Sequence, residues 1–223
     1  MTYAQNLRKT LESHADADNA RAMSAYMKGH FPFFGIKSEA RRGALKEFIA
    51  GQGLPSVSAL EATVRELWQM PEREIHYCAQ ELADKVWRKP PPNALDLYVF
   101  MIVHQSWWDS VDMIATKLVG NYFTSHPEQE VELSRQWCES ENLWLRRTAI
   151  LFQLKRKAET NWPLLQETIT SNLGDPDFFI RKAIGWALRE YAKTNPESVK
   201  QFVRTHPQLS ALSKKEALKN MRN

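Results

Sequence analysis

The sequence predicts an all-α protein built from stacked helical repeats, a solenoid, and three observations carry that prediction. Only 8 glycines and 11 prolines occur in 223 residues, against abundant Ala, Leu, Glu, Lys and Arg, so residues that favour helices dominate the chain. Apolar residues recur at three- and four-residue spacing almost throughout, and no stretch sustains the period of two that a half-buried strand needs. The breakers gather in short clusters between the periodic segments rather than inside them: "GHFPFFG" at 29–35, "GQGLP" at 51–55, "RKPPPN" at 88–93, "SHPEQ" at 125–129, "NLGDPD" at 172–177 and "KTNPES" at 193–198.

Taken in order, the segments between those clusters share a pattern. Arg73 in "PEREIHYCAQELA", Arg146 in "NLWLRRTAILFQL" and Arg181 in "DFFIRKAIGWALREYA" each stand near the start of a helix rich in alanine and leucine. Their separations, 73 and 35 residues, fit a period of about 36 and place a further unit near position 109, where "SWWDSVD" lies. A two-helix unit of that length buries its apolar side only against its neighbours. Equivalent helices then line one concave wall, and the segments around Arg73, Trp108, Arg147 and Phe179 face a common groove.

Composition narrows the function. Cys78 and Cys138 are the only cysteines, too few for a disulfide framework and without the spacing of a zinc site, so both read as buried packing thiols. The six histidines, His14, His30, His76, His104, His126 and His206, show no ligand spacing either. Neither a metal nor another cofactor is expected. The N-terminal "MTYAQNLRKTLESHADADNA" lacks the apolar core of a signal peptide, and no run approaches eighteen apolar residues, so the expected location is the cytoplasm, away from any membrane. Residues 1–142 hold 15 Lys+Arg against 19 Asp+Glu, net −4, whereas residues 143–223 hold 15 against 7, net +8. A basic C-terminal part suits a polyanionic partner, because its cations displace counterions from a phosphate backbone.

Three clusters carry the candidate chemistry. In "HQSWWDSVDMIATKLVG" a continuous helix would bury Trp107, Val111, Ile114 and Leu118 and set Trp108, Asp112, Ala115 and Val119 on the adjoining stripe. Ser106 and Asp109 fit an S-x-x-D capping box, which accounts for Asp109. Asp112 has no such account: a buried unpaired carboxylate costs several kcal/mol, so it is paired with an arginine or faces an open cleft. In "NLWLRRTAILFQLKRK", Arg146 and Arg147 oppose the helix dipole at its start and call for a nearby anion, either Asp112 or a phosphate, while Lys155, Arg156 and Lys157 are expected in the last turn, where cations complement that dipole. In "DPDFFIRKAIGWALREYAKTNP", Phe179 and Trp186 are seven apart on one face, with Lys182 and Arg189 nearby. Eight tryptophans exceed what packing alone asks of a chain this size, and aromatic faces interleaved with cations are what sugars and bases pack against.

These residues resemble the bacterial AlkD-type DNA alkylation-repair glycosylases, which are built from HEAT-like repeats. The resemblance is carried by "YMKGHFPFFGIKSEARR", "RELWQMPEREIHYCAQELA", "SWWDSVDMIA", "NLWLRRTAILFQLK", "FFIRKAIGWALREYAKTNP" and "LSKKEALKNM", in order and over almost the whole chain. It implies one HEAT-like glycosylase domain over residues 1–223 with a concave basic groove. It further implies a monomer that binds duplex DNA containing alkylated purines and acts at the bacterial nucleoid. The family's reaction is excision of positively charged N3- and N7-alkylated purines, in some members without flipping the base. By the same resemblance Asp112 is the catalytic aspartate, Trp108 and Trp186 flank the lesioned nucleotide, and Arg147 is the cleft arginine, placed to hold the phosphate beside the lesion. Tyr26, Phe178 and Phe179 match further positions at the DNA-facing groove, with Lys182 and Arg189 beside them. Lys37 and Ala40 depart from the family pattern, where relatives carry glutamine and proline, so the resemblance does not carry over the family's N-terminal contacts to the strand at these positions. No lysine matches a catalytic motif, so strand-nicking lyase activity is not expected. The competing expectation is a non-catalytic helical-repeat module in which Asp112 and Arg147 simply satisfy each other.

Overall fold

A computed structural model describes residues 1–219 and 221, and among them the chain is helical, with no strand. Contacts divide it at Pro91/Pro92, inside the "RKPPPN" breaker, into two compact units, Met1–Pro91 and Pro92–Asn223. All six breaker clusters fall at or between helix ends. Among the described residues no helix is long and apolar enough to cross a membrane.

The first unit contains α1 (Tyr3–Glu12), α2 (Ala17–Tyr26), α3 (Ser38–Gln52), α4 (Leu60–Trp68) and α5 (Arg73–Val86). Thr2 and Gln5 close a capping box at the start of α1. Leu7 and Leu11 of α1, Leu45 of α3, Leu60, Leu67 and Trp68 of α4, and Ile75, Cys78 and Leu82 of α5 make the core, each almost fully withdrawn from solvent. Every such leucine contributes ~1.5–3 kcal/mol relative to an exposed one. The "FPFFG" loop packs on the start of α2, where Gly35 takes φ +94° and a Cβ would stand 2.0 Å from the Asp16 carbonyl oxygen, so only glycine fits. Glu74, fully buried at the second position of α5, fixes the same loop by accepting the amides of Phe34, Gly35 and Ile36 at 3.1, 2.8 and 3.0 Å. Arg73 is equally buried and lies over the Phe31 ring at 3.9 Å, so its side chain belongs to the interior of this unit.

The second unit contains α6 (Ala94–Val103), α7 (Trp108–Met113), α8 (Gly120–Ser125), α9 (Glu130–Cys138), α10 (Leu143–Leu151), α11 (Trp162–Ser171), α12 (Phe178–Tyr191), α13 (Pro196–Thr205) and α14 (Ala211–Leu218). Side-chain oxygens begin several of them: Asn142 accepts from the Trp144 amide at 2.9 Å to start α10, and Asp177 from the Phe179 amide at 2.6 Å to start α12. Neighbouring helices stack in sequence order, α9 on α10, α10 on α12 and α12 on α14, as in a helical-repeat solenoid. Ile150, Leu151, Leu165, Ile169, Ile180, Ile184, Leu188, Phe202 and Ala217 form the shared core. The approach of α12 to α14 depends on Gly185, because a Cβ there would meet the Glu216 Cβ at 2.5 Å and the Ser213 carbonyl at 3.0 Å.

Three local expectations need correction. The helix expected to carry the two stripes from Trp107 to Val119 without a break is α7 followed by six residues of π-helix, Ile114–Val119, before α8. The wider π turn buries both expected stripes below Asp112, so Ile114, Ala115, Leu118 and Val119 are all core. The Ser106–Asp109 capping box does not form: the N-cap is Trp107, and the Ser106 hydroxyl instead donates to the Ile102 carbonyl at 2.6 Å. The helix dipole likewise does not explain Lys155, Arg156 and Lys157, since α10 stops at Leu151 and a turn follows. Gln153 closes that turn by accepting from the Asn161 amide at 2.7 Å, and Arg156 pairs with Glu130 at 2.7 Å. Cys78 and Cys138 are buried and unbridged, as expected of packing thiols.

Candidate active-site cleft

The start of α7 turns the Trp107–Asp112 segment so that Trp108 and Asp112, four residues apart, lie on one side of the helix. On α10 the Arg147 side chain points the same way. Its guanidinium holds the Asp112 carboxylate with both arms, Nε to Oδ1 at 2.7 Å and Nη2 to Oδ2 at 2.8 Å, while Nη1 donates to the Phe179 carbonyl. One arginine therefore ties α7 to the first turn of α12 across the helix between them. Bidentate arginine–carboxylate pairs are directional as well as strong, so the carboxylate plane is fixed.

The two arginines that oppose the α10 dipole thus have separate anions. Arg146 bonds Asp175 through Nε at 3.2 Å and the Ser140 and Glu141 carbonyls at 2.6 and 2.9 Å, anchoring the loop that leads into α12. Arg147 takes Asp112.

Around that pair lies an open cleft of about 440 Å³, wholly within the second unit, lined by Trp108, Asp112, Arg147, Phe178, Phe179, Lys182, Trp186, Arg189, Glu216 and Lys219. Both alternatives foreseen for Asp112 hold together: the carboxylate is salt-linked, and it also lines the cleft, with 16% of the side chain exposed. The Arg147 side chain is more deeply set, at 5%. Burial raises the Asp112 pKa above the ordinary aspartate value, and the Arg147 hydrogen bonds and charge only partly offset this.

The aromatic residues divide by depth. Trp108 and Trp186 are half-buried in the cleft wall, and Trp186 rests its inner face on the shared core. Phe178 is 53% exposed. Phe179 is held from behind by Trp107 at 5.1 Å and Trp144 at 5.2 Å between ring centroids. Of the remaining tryptophans, Trp68, Trp87 and Trp137 are core, and Trp162 stacks on Tyr191 at 4.6 Å.

The far wall belongs to α12 and α14. Glu216 of α14 accepts from Lys182 through Oε1 at 2.7 Å and from Arg189 through Oε2 at 2.5 Å. The Lys182 hydrogen bond holds the Glu216 carboxyl below its usual range, against the opposing effect of burial, so it stays ionised. Neither Glu216 nor Lys219 was assigned from the sequence. The "LSKKEALKNM" segment that contains them carried only the resemblance, and its Asn220 lies outside the described residues. Tyr26 is at the end of α2 in the first unit, 71% exposed. The structure thus brings together every candidate residue of the second unit: Trp108, Asp112, Arg147, Phe178, Phe179, Lys182, Trp186 and Arg189.

The family model described as DNA alkylation repair enzyme matches residues 7–221. The chain belongs to that family. A solved structure titled "Predicted DNA alkylation repair enzyme from Enterococcus faecalis" is 32% identical to it, with a TM-score of 0.86 over 94% of this chain and 97% of that one. No curated protein matches the chain at a significant level. Membership of the DNA alkylation repair enzyme family gives the chain a role in DNA repair, and the match extends over both compact units.

Proposed function

We propose that this protein is a monofunctional DNA glycosylase that hydrolyses the N-glycosidic bond of cationic N3- and N7-alkylated purines, such as 3-methyladenine and 7-methylguanine, in duplex DNA. The observation that supports this reading is a carboxylate fixed in orientation by Arg147 and presented to a cleft between two half-buried indoles, Trp108 and Trp186.

A purine alkylated at N3 or N7 already carries positive charge. When its bond to C1′ breaks, the electron pair leaves with the base and neutralises it, so little help from a general acid is needed. The difficult species is the deoxyribose oxocarbenium ion. An anion beside C1′ stabilises charge that exists only as the bond breaks, which is differential binding of the transition state. Asp112 supplies that anion. It then orients the water whose oxygen bonds to C1′ and receives its proton, leaving an abasic sugar and a neutral free base. Trp108 and Trp186 face the sugar, exclude bulk water and add cation–π attraction.

Arg147 has each of its three nitrogens engaged, so it serves as the positioning residue for Asp112. Backbone phosphates at the cleft fall to Lys182, Arg189 and Lys219, with Phe178 and Phe179 beside them. Tyr26, exposed on the first unit, is a DNA-contacting residue in its own right. In this reading the cleft receives the sugar while the base stays in the stack, so selection is by the lability of the bond and cationic lesions are preferred to neutral ones. The whole of residues 1–223 acts as one domain and as a monomer, in the bacterial cytoplasm at the nucleoid.

The experiment is mass identification of the base released from methylated duplex DNA by the purified protein. Free 3-methyladenine and 7-methylguanine, with no strand nicking and no borohydride-trapped adduct, are expected. The Asp112–Arg147 salt link also favours a second reading, a binding module in which the pair is purely structural. Absence of any released base from DNA that the protein binds selects that reading instead.

A further inference from the structure

We propose that Glu216 is an affinity-setting residue: a resident anion that occupies Lys182 and Arg189 and that a DNA phosphate must displace. The inference rests on the reading of the cleft as a DNA site. Lys182 and Arg189 are seven residues apart, about 10 Å along α12, yet their side chains converge on the two oxygens of one carboxylate, at 2.7 and 2.5 Å. Seven residues make two turns, so both side chains leave the same face of α12, and the Glu216 carboxylate bridges the distance between them. The bridge is built in, because Glu216 is carried on α14, which comes so close to α12 at Gly185 that a Cβ there would meet the Glu216 Cβ at 2.5 Å.

The charges lining the cleft give the arrangement a consequence. Arg147, Lys182, Arg189 and Lys219 supply four positive groups, and Asp112 and Glu216 two negative ones. Arg147 is committed to Asp112, so among the described residues lining the cleft Glu216 claims Lys182 and Arg189 and leaves Lys219 to meet a phosphodiester. Its side chain is 11% exposed, whereas that of Lys182 is 40% exposed. The lysine ammonium is therefore reachable from the cleft and can change partners while the glutamate stays in place. A phosphate arriving there gains a charge-assisted contact but breaks one of the same kind, and the net gain is small. Undamaged backbone is consequently held weakly, and the protein is kept from saturating on DNA that offers it no lesion.

The test compares Glu216→Gln, which keeps the side chain's volume and removes its charge, with wild type by equilibrium binding to undamaged duplex DNA. Affinity is expected to rise ~3–10-fold at moderate salt, with the gain shrinking as salt is added. Lys182→Met is expected to weaken binding several-fold in the Glu216→Gln background and by less than about twofold in the wild-type background, because only in the former is the ammonium unclaimed. Should the glutamine variant not fold, Glu216→Asp, whose shorter side chain reaches only one cation, carries the same expectation at smaller size.

Unchanged or weaker affinity overturns the proposal. So does an affinity gain in which Lys182→Met costs the same in both backgrounds, since that is plain long-range repulsion, and so does a wild-type protein that binds no duplex DNA. None of these measurements needs catalysis. If wild type releases methylated base while Glu216→Gln binds like wild type, only the role of Glu216 falls. If the affinities behave as expected but no base is released, only the excision reading falls.

Discussion

Glu74, at the second position of α5, and Asp112, at the fifth of α7, are both carboxylates withdrawn from solvent, one in each compact unit, and they are satisfied in opposite ways. Glu74 is fully buried and accepts three consecutive backbone amides, so its charge is spent on fixing a loop. Asp112 relies on a single arginine side chain, and it lines open space. A carboxylate embedded among backbone donors cannot turn to a substrate without unfolding its surroundings. One held by a guanidinium fork keeps its orientation while remaining accessible. The contrast separates an acid sealed inside the fold from one presented to open space, and neither residue's sequence neighbourhood reveals it.

The largest expected effect breaks the comparison at its functional end. Asp112→Asn should lower base release from methylated duplex by ~10²–10³-fold, the size found for removing one electrostatic stabiliser of a transition state, with DNA binding held within about threefold. Single-turnover kinetics check this, and undiminished release removes Asp112 from the mechanism.

Glu74→Gln is the matched structural substitution. A neutral amide accepts more weakly and brings donors that face other donors, so unfolding free energy in urea should drop by ~2–3 kcal/mol. Base release per folded molecule should stay unchanged, and a selective loss of turnover would show that the loop fixed by Glu74 serves the reaction.

Arg147→Lys sharpens the comparison by keeping a cation and losing the fork. Base release should fall ~10-fold, since a point charge no longer fixes the carboxylate plane. Its pH profile should move as well. In the proposed mechanism Asp112 acts in its ionised form, and its pKa is raised by burial and pulled down by Arg147. In wild type the acid limb should therefore lie above the ordinary aspartate range, and in Arg147→Lys higher still. An acid limb that stays put, or moves to lower pH, contradicts this assignment of the titrating group.

The smallest effect is expected at the rim. Phe178 is exposed, so Phe178→Ala should change stability by no more than ~0.5 kcal/mol, while affinity for duplex DNA declines measurably. A large drop in melting temperature would place Phe178 with the core instead.

Much of the candidate site was legible because its residue types are costly to explain otherwise. Asp112 on a half-apolar stripe and Arg147 against a helix dipole each demanded a partner, and they proved to be one another's. Trp108, Phe178, Phe179, Lys182, Trp186 and Arg189 likewise converge on the same cleft. What escaped has a common cause. Glu216 looks like an ordinary surface acid in "SKKEALK", and only the close approach of α14 at Gly185 carries it into the cleft. Trp107 and Trp144 look like any buried indoles, and their support of Phe179 joins three segments distant in sequence. The Ser106–Asp109 motif misled because a four-residue pattern cannot tell which of several carbonyls and amides the hydroxyl will meet.

The sequence by itself determined the helical class, the breaks between helices and the list of charged groups that needed partners, because helix periodicity, turn chemistry and the cost of a lone buried charge act locally. The tertiary structure decided which carboxylate is sealed and which is presented, where α10 stops, and that a π turn follows Asp112. Those outcomes depend on which side chains from remote segments arrive at the same place. No single segment contains that information, since the energy of a charge pair or a packed ring is set by its distance in space and not by its distance along the chain.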